Sequence, residues 1–300
     1  MKVLASLVAV LFTLVAPSSA SAQESPARVT ILYDAFGKPS ALKRGWGYSA
    51  LVEYAGKRIL FDTGGSLDDF TFNAHALGVD LSRLDFVVLT HRHGDHTSGL
   101  HQVLKVNPAV RIYTPAEGAY FDTPIGPALT NLIKRRVESA PEDMHYYDGK
   151  YPERLASGSP WPGAKFTQIR TPTEVAPGFW LFSTQSETPG TREMNEVSMA
   201  IQTPQGLVVM VGCSHPGIER ILEAASKIDS RIYSVFGGFH LVDIPDAEVS
   251  SMVTRFRNQW KLERAAAGHC TGEFAFSELN RIFGPKFDHA GVGAVIALPR

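Results

Sequence analysis

The segment from Thr90 to Gly99 gathers four possible metal ligands, His91, His93, Asp95 and His96, into six positions. They follow directly on the apolar run Phe86-Val87-Val88-Leu89, which has the composition of a buried strand. A strand end fixes the chain, and the loop beyond it can turn several side chains toward one point. His91 and His93 share a face by the two-residue alternation of extended chain, so both reach one ion. Asp95 and His96 are displaced along the loop and suit a second ion beside it. Two metals roughly 3.5–4 Å apart activate water and clamp attacking and leaving oxygens. Imidazole nitrogen mixed with carboxylate oxygen suits zinc best, with iron or manganese as alternatives. A solvated histidine-rich loop is the plainer reading, and three histidines at this spacing around an aspartate count against it.

The elements that position this cluster read as alternating strands and helices. Strands are predicted at Val29–Tyr33, Ala50–Tyr54, Arg58–Phe61, Phe86–Leu89, Phe179–Phe182, Val197–Ile201, Leu207–Val211, Ile232–Phe236 and Ala294–Leu298. Hairpins are predicted at Tyr54-Ala55-Gly56-Lys57 and around Thr203-Pro204-Gln205-Gly206, so some neighbouring strands are antiparallel. Helices fit Asp68–Leu77, Ile218–Ile228 and Asp246–Gln259. Antiparallel strands mixed with helical crossovers imply a layered α/β sandwich rather than a purely parallel doubly wound sheet. The stretch from Pro115 to about Lys165 is irregular and rich in Pro, Gly, Tyr and Trp, as an insertion forming a lid or pocket wall would be.

The first 22 residues read as a cleavable export signal, with Lys2, an apolar stretch from Val3 to Ala16, and the small-residue pattern Ala20-Ser21-Ala22. That stretch is too short to span a bilayer comfortably. The expected mature chain starts at Gln23, in the periplasm or outside the cell, and forms one domain over residues 23–300. Lys2 is the one charged residue of the leader, so 28 of the 29 basic residues and all 30 acidic ones remain. A balanced charge without a basic run offers no footprint for nucleic acid, and no stable membrane span is expected. Two cysteines, Cys213 and Cys270, are too few for a disulfide scaffold.

Thr90-His91-Arg92-His93-Gly94-Asp95-His96 resembles the H-x-H-x-D-H signature of the metallo-β-lactamase superfamily. Phe61-Asp62-Thr63-Gly64 resembles its upstream turn, whose aspartate supports the ligand loop. Gly212-Cys213-Ser214-His215-Pro216-Gly217, Gly237-Gly238-Phe239-His240-Leu241, Gly268-His269-Cys270-Thr271-Gly272 and Asn195-Glu196 together resemble one branch. Its members are labelled dihydropterin-ribofuranosyl-aminobenzene-phosphate synthase-like or metallo-β-lactamase-fold hydrolases. The resemblance runs from about Val29 to Leu298 and implies an αββα sandwich, two mixed sheets flanked by helices. It also implies a hydrolase that turns a metal-activated water on a small-molecule substrate.

The superfamily takes a third histidine for the first metal from a loop that here reads Gln185-Ser186-Glu187-Thr188-Pro189-Gly190, without histidine. His215, after the strand Leu207–Val211, is the substitute the resemblance points to. The carboxylate expected to bridge the metals is replaced by Cys213, either a thiolate ligand or a small buried apolar side chain. His269 is assigned to the second metal. His240 is placed near the site as a substrate-binding or acid–base group, and Asp95 both holds metal and orients water. Cys213 and Cys270 would lie close together, and a disulfide between them stays open. His75, His101, His145 and His289 have no partners at suggestive spacing. The bond cleaved, whether ester, phosphoester or lactam, is left unresolved. The departures at Gln185–Gly190 and Cys213 motivate an alternative, a catalytically silent metal-dependent sensor or ligand-binding protein. Di-iron redox chemistry fits less well, because its usual additional carboxylates and flavin domain are not evident.

Overall fold

The computed structural model describes residues 26–117 and 163–300, with positions 121, 139, 141–145, 149–150 and 161 between them. The predicted leader and most of the predicted insertion lie outside the described residues. Two seven-stranded sheets form the centre. The first runs β14 (Val295–Ala297), β1 (Arg28–Tyr33), β2 (Ser49–Tyr54), β3 (Lys57–Phe61), β4 (Phe86–Val88), β5 (Arg111–Pro115) and β6 (Lys165–Ile169). The second runs β13 (Phe287–His289), β12 (Arg264–Gly268), β11 (Ile232–Gly238), β10 (Gly206–Val211), β9 (Asn195–Thr203), β8 (Phe179–Gln185) and β7 (Thr173–Ala176). Both are mixed in the same way. In the first, β14 through β3 pair antiparallel and β3 through β6 parallel. In the second, β7 through β10 pair antiparallel and β10 through β13 parallel. The predicted sandwich of two mixed sheets with flanking helices is the observed architecture.

The two-residue alternation of the strands sorts their side chains into three layers. In β3, Ile59 and Phe61 face the other sheet while Leu60 packs outward; in β4, Phe86 and Val88 face inward and Val87 outward. In β10, Val208 and Met210 enter the inter-sheet core, and Leu207, Val209 and Val211 pack under helices. Strands covered on both faces therefore read as continuous apolar runs. Helices α1 (Leu67–Ala76), α2 (Gly94–Thr97) and α3 (Leu100–Val106) lie on the side of the first sheet. Helices α4 (Ile218–Ser226), α5 (Asp246–Asn258) and α6 (Glu273–Phe283) cover the second through Leu222, Val253 and Leu279. Ser66 caps α1 by accepting from the Asp69 N–H, and Asp68 and Asp69 complement the positive end of the helix.

The sequence reading gave no bounds for β5, β6, β7, β12 or β13, and most of these have weak local signals. β12 is Arg-Ala-Ala-Ala-Gly, poor in β-branched residues, and is a strand because β11 and β13 flank it. β6 and β7 are short and partly exposed, and β7 ends its sheet's order. Helices α2, α3 and α6 also went unpredicted.

Candidate metal centre

The functional side chains leave from the C-terminal ends of strands in both sheets, where the parallel halves of the sandwich meet. The Val197 N–H donates to the Thr90 carbonyl at 2.8 Å, joining the two sheets at this point. Gly212 permits the approach, since a Cβ there would sit 2.3 Å from Thr90 Oγ1.

His91, His93 and His215 converge, with their ligand nitrogens all within 4.8 Å of one another. His91 Nε2 lies 3.2 Å from His93 Nδ1. Alternation along a strand is not what pairs them: β4 ends at Val88, and His93 is already the N-cap of α2. The loop itself turns both rings inward. Hydrogen bonds fix the tautomer of His91. Thr90 Oγ1 gives its proton to Asp62 Oδ2 at 2.8 Å, so at the 2.8 Å contact with His91 Nδ1 the ring nitrogen is the donor. His91 Nε2 is left as a lone pair aimed into the cluster. The buried His215 Nε2 has no hydrogen-bond partner among the described residues. Burial first, and neighbouring imidazoles second, push His91 well below the usual histidine range. Burial and then His240 push His215 down to about 3. These imidazoles are neutral donors at neutral pH.

Asp95, His96, Cys213 and His269 form a second group beside the first, with His91 and His96 ring centroids 4.2 Å apart. His96 Nε2 is 3.2 Å from His269 Nε2 and 3.1 Å from Cys213 Sγ, which is also 3.1 Å from His269 Nε2. Asp95 Oδ2 stands 3.4 Å from His269 Nε2 and 3.6 Å from His96 Nε2. Tetrahedral zinc, with bonds of roughly 2.0–2.3 Å, sets its ligand atoms roughly 3.3–3.7 Å apart. The donor set therefore fits such an ion in size and chemistry. Burial pushes His96 down, but the Asp62 carboxylate, 2.7 Å from its Nδ1, overrides this and raises it to about 9. Burial likewise pushes Asp95 up, and the hydrogen bond from His269 with the charges of His96 and His269 holds it well below the usual carboxylate range.

The structure brings every predicted ligand into one of these two groups and places the Cys213 sulfur within the second. Cys213 Sγ also lies within 4.8 Å of donor atoms of His240 and Cys270. Both cysteines are free thiols here. The His240 ring lies tilted beside that of His215, centroids 4.4 Å apart, with Nδ1 buried and unpartnered among the described residues. The other histidines stay out: His75 and His101 are exposed on α1 and α3, His145 belongs to neither group, and His289 stacks on Phe36.

Three buried carboxylates brace the ligand loops. Asp62, expected from the resemblance, accepts the Thr90 N–H at 2.8 Å and the His96 ring N–H. Asp34 accepts the His269 N–H at 2.9 Å, and Glu196 accepts from the turn bearing Cys213 and His215. The sequence reading missed Asp34, and in Asn195-Glu196 it saw only a family trait. Trp46 was missed as well. It is more than half exposed, with its ring centroid 5.0 Å from that of His269. Asp62 (φ 58°), Ser214 (66°), His240 (47°) and His269 (50°) occupy the left-handed region at the centre. Such strain, of order 1–3 kcal/mol each, gathers where a site over-determines the backbone.

A sandwich of two mixed sheets with a histidine-rich centre at the strand ends is the architecture of the metallo-beta-lactamase superfamily. That superfamily's profile matches residues 44–193, and the chain belongs to it. The chain is 28% identical over 290 residues to the 7,8-dihydropterin-6-methyl-4-(beta-D-ribofuranosyl)-aminobenzene-5'-phosphate synthase of Methanocaldococcus jannaschii, covering 88% of this chain and 93% of that one. Among solved structures it is similar to Tm1679, a metal-dependent hydrolase of the beta-lactamase superfamily, with TM-score 0.67 and 26% identity over 91% of this chain and all of that one. YhfI of Bacillus subtilis, a metallo-beta-lactamase fold protein, shares the fold at TM-score 0.57 and 15% identity, covering 90% of this chain and 99% of that one.

Proposed function

We propose that the chain is a metal-dependent hydrolase that cleaves an ester, phosphoester or lactam bond in a small organic substrate. One observation carries this reading: two donor sets, His91–His93–His215 and Asp95–His96–Cys213–His269, stand side by side, each sized for one cation. Divalent zinc, the ion their mixed donors suit best, supplies Lewis acidity and makes water acidic enough to ionise near neutral pH. The side chains do the rest. Asp95, ionised throughout the physiological range, accepts a hydrogen bond from the attacking water and holds its orientation. His240 carries its proton to higher pH than usual, because its hydrogen bond with Cys270 outweighs burial. It is placed to bind a polar substrate atom or protonate a leaving group. His215 takes the place of the histidine missing at Gln185–Gly190, which favours catalysis over the silent binding reading. The solved metal-dependent hydrolase Tm1679 supports the reaction class. The synthase relative shows that this fold also carries other chemistry. We propose further that residues 1–22 direct export, which sets this chain apart from a role in intracellular cofactor synthesis.

Zinc-loaded protein should hydrolyse a generic phosphodiester or a lactone. Activity should vanish on chelation, and in His93→Ala it should fall by more than the about 10–100-fold that loss of an outer-shell partner costs. Turnover that survives both treatments would refute the proposal.

A further inference from the structure

Three consecutive backbone N–H groups converge on one side chain. Glu196 Oε1 accepts from Cys213 at 3.0 Å and Ser214 at 2.7 Å, and Oε2 accepts from His215 at 2.9 Å. The left-handed Ser214 turns its N–H the same way as its neighbours', so the peptide forms an anion-binding concavity of the kind called a nest. The anion it encloses is a carboxylate of the chain itself. Glu196 is fully buried near the start of β9, and no lysine or arginine pairs with it among the described residues. Burial pushes Glu196 up to about 7, while the Ser214 and His215 N–H groups and the charge of His96 favour its ionised form; merely closing a turn would require only a neutral acceptor. The Ser214 hydroxyl, donating to the Gly238 carbonyl at 2.7 Å, ties the same turn to the end of β11.

The residues flanking Ser214 go to different places. Cys213 turns into the group with Asp95, His96 and His269, and His215 into the group with His91 and His93. One turn thus serves both candidate cation sites, and one carboxylate holds that turn. Resting on the cation reading above, we infer that Glu196 is a positioning residue that couples the two cation sites, presenting Cys213 to one and His215 to the other as a single unit. Any displacement of the nest moves both ligands together. Asp62 and Asp34 differ in this respect, because neither accepts backbone N–H groups from the turn that carries Cys213 and His215.

The test is cobalt(II) titration of the full chain against its Glu196→Gln variant, following visible absorption for occupancy and the near-ultraviolet thiolate-to-cobalt band for Cys213. Glutamine keeps the size, but it loses the charge and turns an N–H₂ toward N–H donors. Both sites should weaken together by about 10–100-fold, the range for outer-shell partners, and the thiolate band should fade in the same titration. A purely structural role would lower the thermal midpoint and leave the cobalt spectrum unchanged. That spectrum, unchanged affinities, or loss at one site alone would overturn the inference. If Glu196→Gln does not fold, Glu196→Asp, which keeps the charge and shortens the reach, is read by the same criteria. A wild-type chain that binds no cobalt would overturn the cation reading itself and this inference with it.

Discussion

His96 shows how single residues set the conditions under which the centre assembles. Asp62 orients its ring by accepting a hydrogen bond from Nδ1–H, and the same charge raises the ring to about 9. At neutral pH His96 therefore holds a second proton, on Nε2, and a cation must displace it before that nitrogen can bind. Burial raises the Cys213 thiol well above its ordinary range, so its sulfur must lose a proton too. The sign follows: falling pH weakens the second site. Its affinity should drop by about tenfold per pH unit below about pH 9 from His96 alone, and more steeply with Cys213. Competition with a chelator from pH 6 to 9 measures the slope, and a flat profile would remove His96 and Cys213 from the ligand set. At this scale the sequence was legible wherever ligands were contiguous. His91, His93, Asp95 and His96 stand out by spacing alone. His215 and His269 needed a family pattern, because they are 119 and 173 positions from His96 in chain order. Glu196 was legible only as part of a family pattern, without a role, and Asp34 had no signature, since an isolated carboxylate near a strand end looks like any surface acid until its burial is seen.

The elements matter chiefly for where they stop. β4, β10, β11 and β12 all end at the centre, and the loops after them carry its side chains. Their closeness depends on Gly212, where the loop after β10 passes against Thr90. Gly212→Ala should act by volume alone, since this glycine is not in the left-handed region. Pushing Thr90 from Gly212 should destabilise the fold by about 1–3 kcal/mol and weaken both sites, since Gly212 leads into the turn that bears Cys213 and His215 and Thr90 contacts His91. Thermal melting with metal stoichiometry checks this, and a variant with unchanged melting and full metal content would show that the contact is not needed. The long apolar strands and amphipathic helices were readable because burial on one or two faces writes a period into the chain. β12 and the short outer strands were not, because their extended form is imposed by neighbours rather than by composition.

For the molecule as a whole, the recurring feature is the matched order of the two sheets, three antiparallel pairings followed by three parallel ones. Export, if it occurs as proposed, leaves this architecture intact and removes only the leader. Mass spectrometry of chain recovered outside the cytoplasm should give a mature N-terminus at Gln23, and retention of Met1 would count against cleavage.

Because β3 and β4 supply His91, His93, Asp95, His96 and Asp62 while β10 and β12 supply Cys213, His215 and His269, each half of the sandwich brings an incomplete set of donors. Any ion seated among them acts as a rivet through two plates. The durability of the protein then becomes a property of its surroundings: free metal at a thousand times the dissociation constant adds about 4 kcal/mol against unfolding, and a compartment that withholds the metal loosens the joint between the halves.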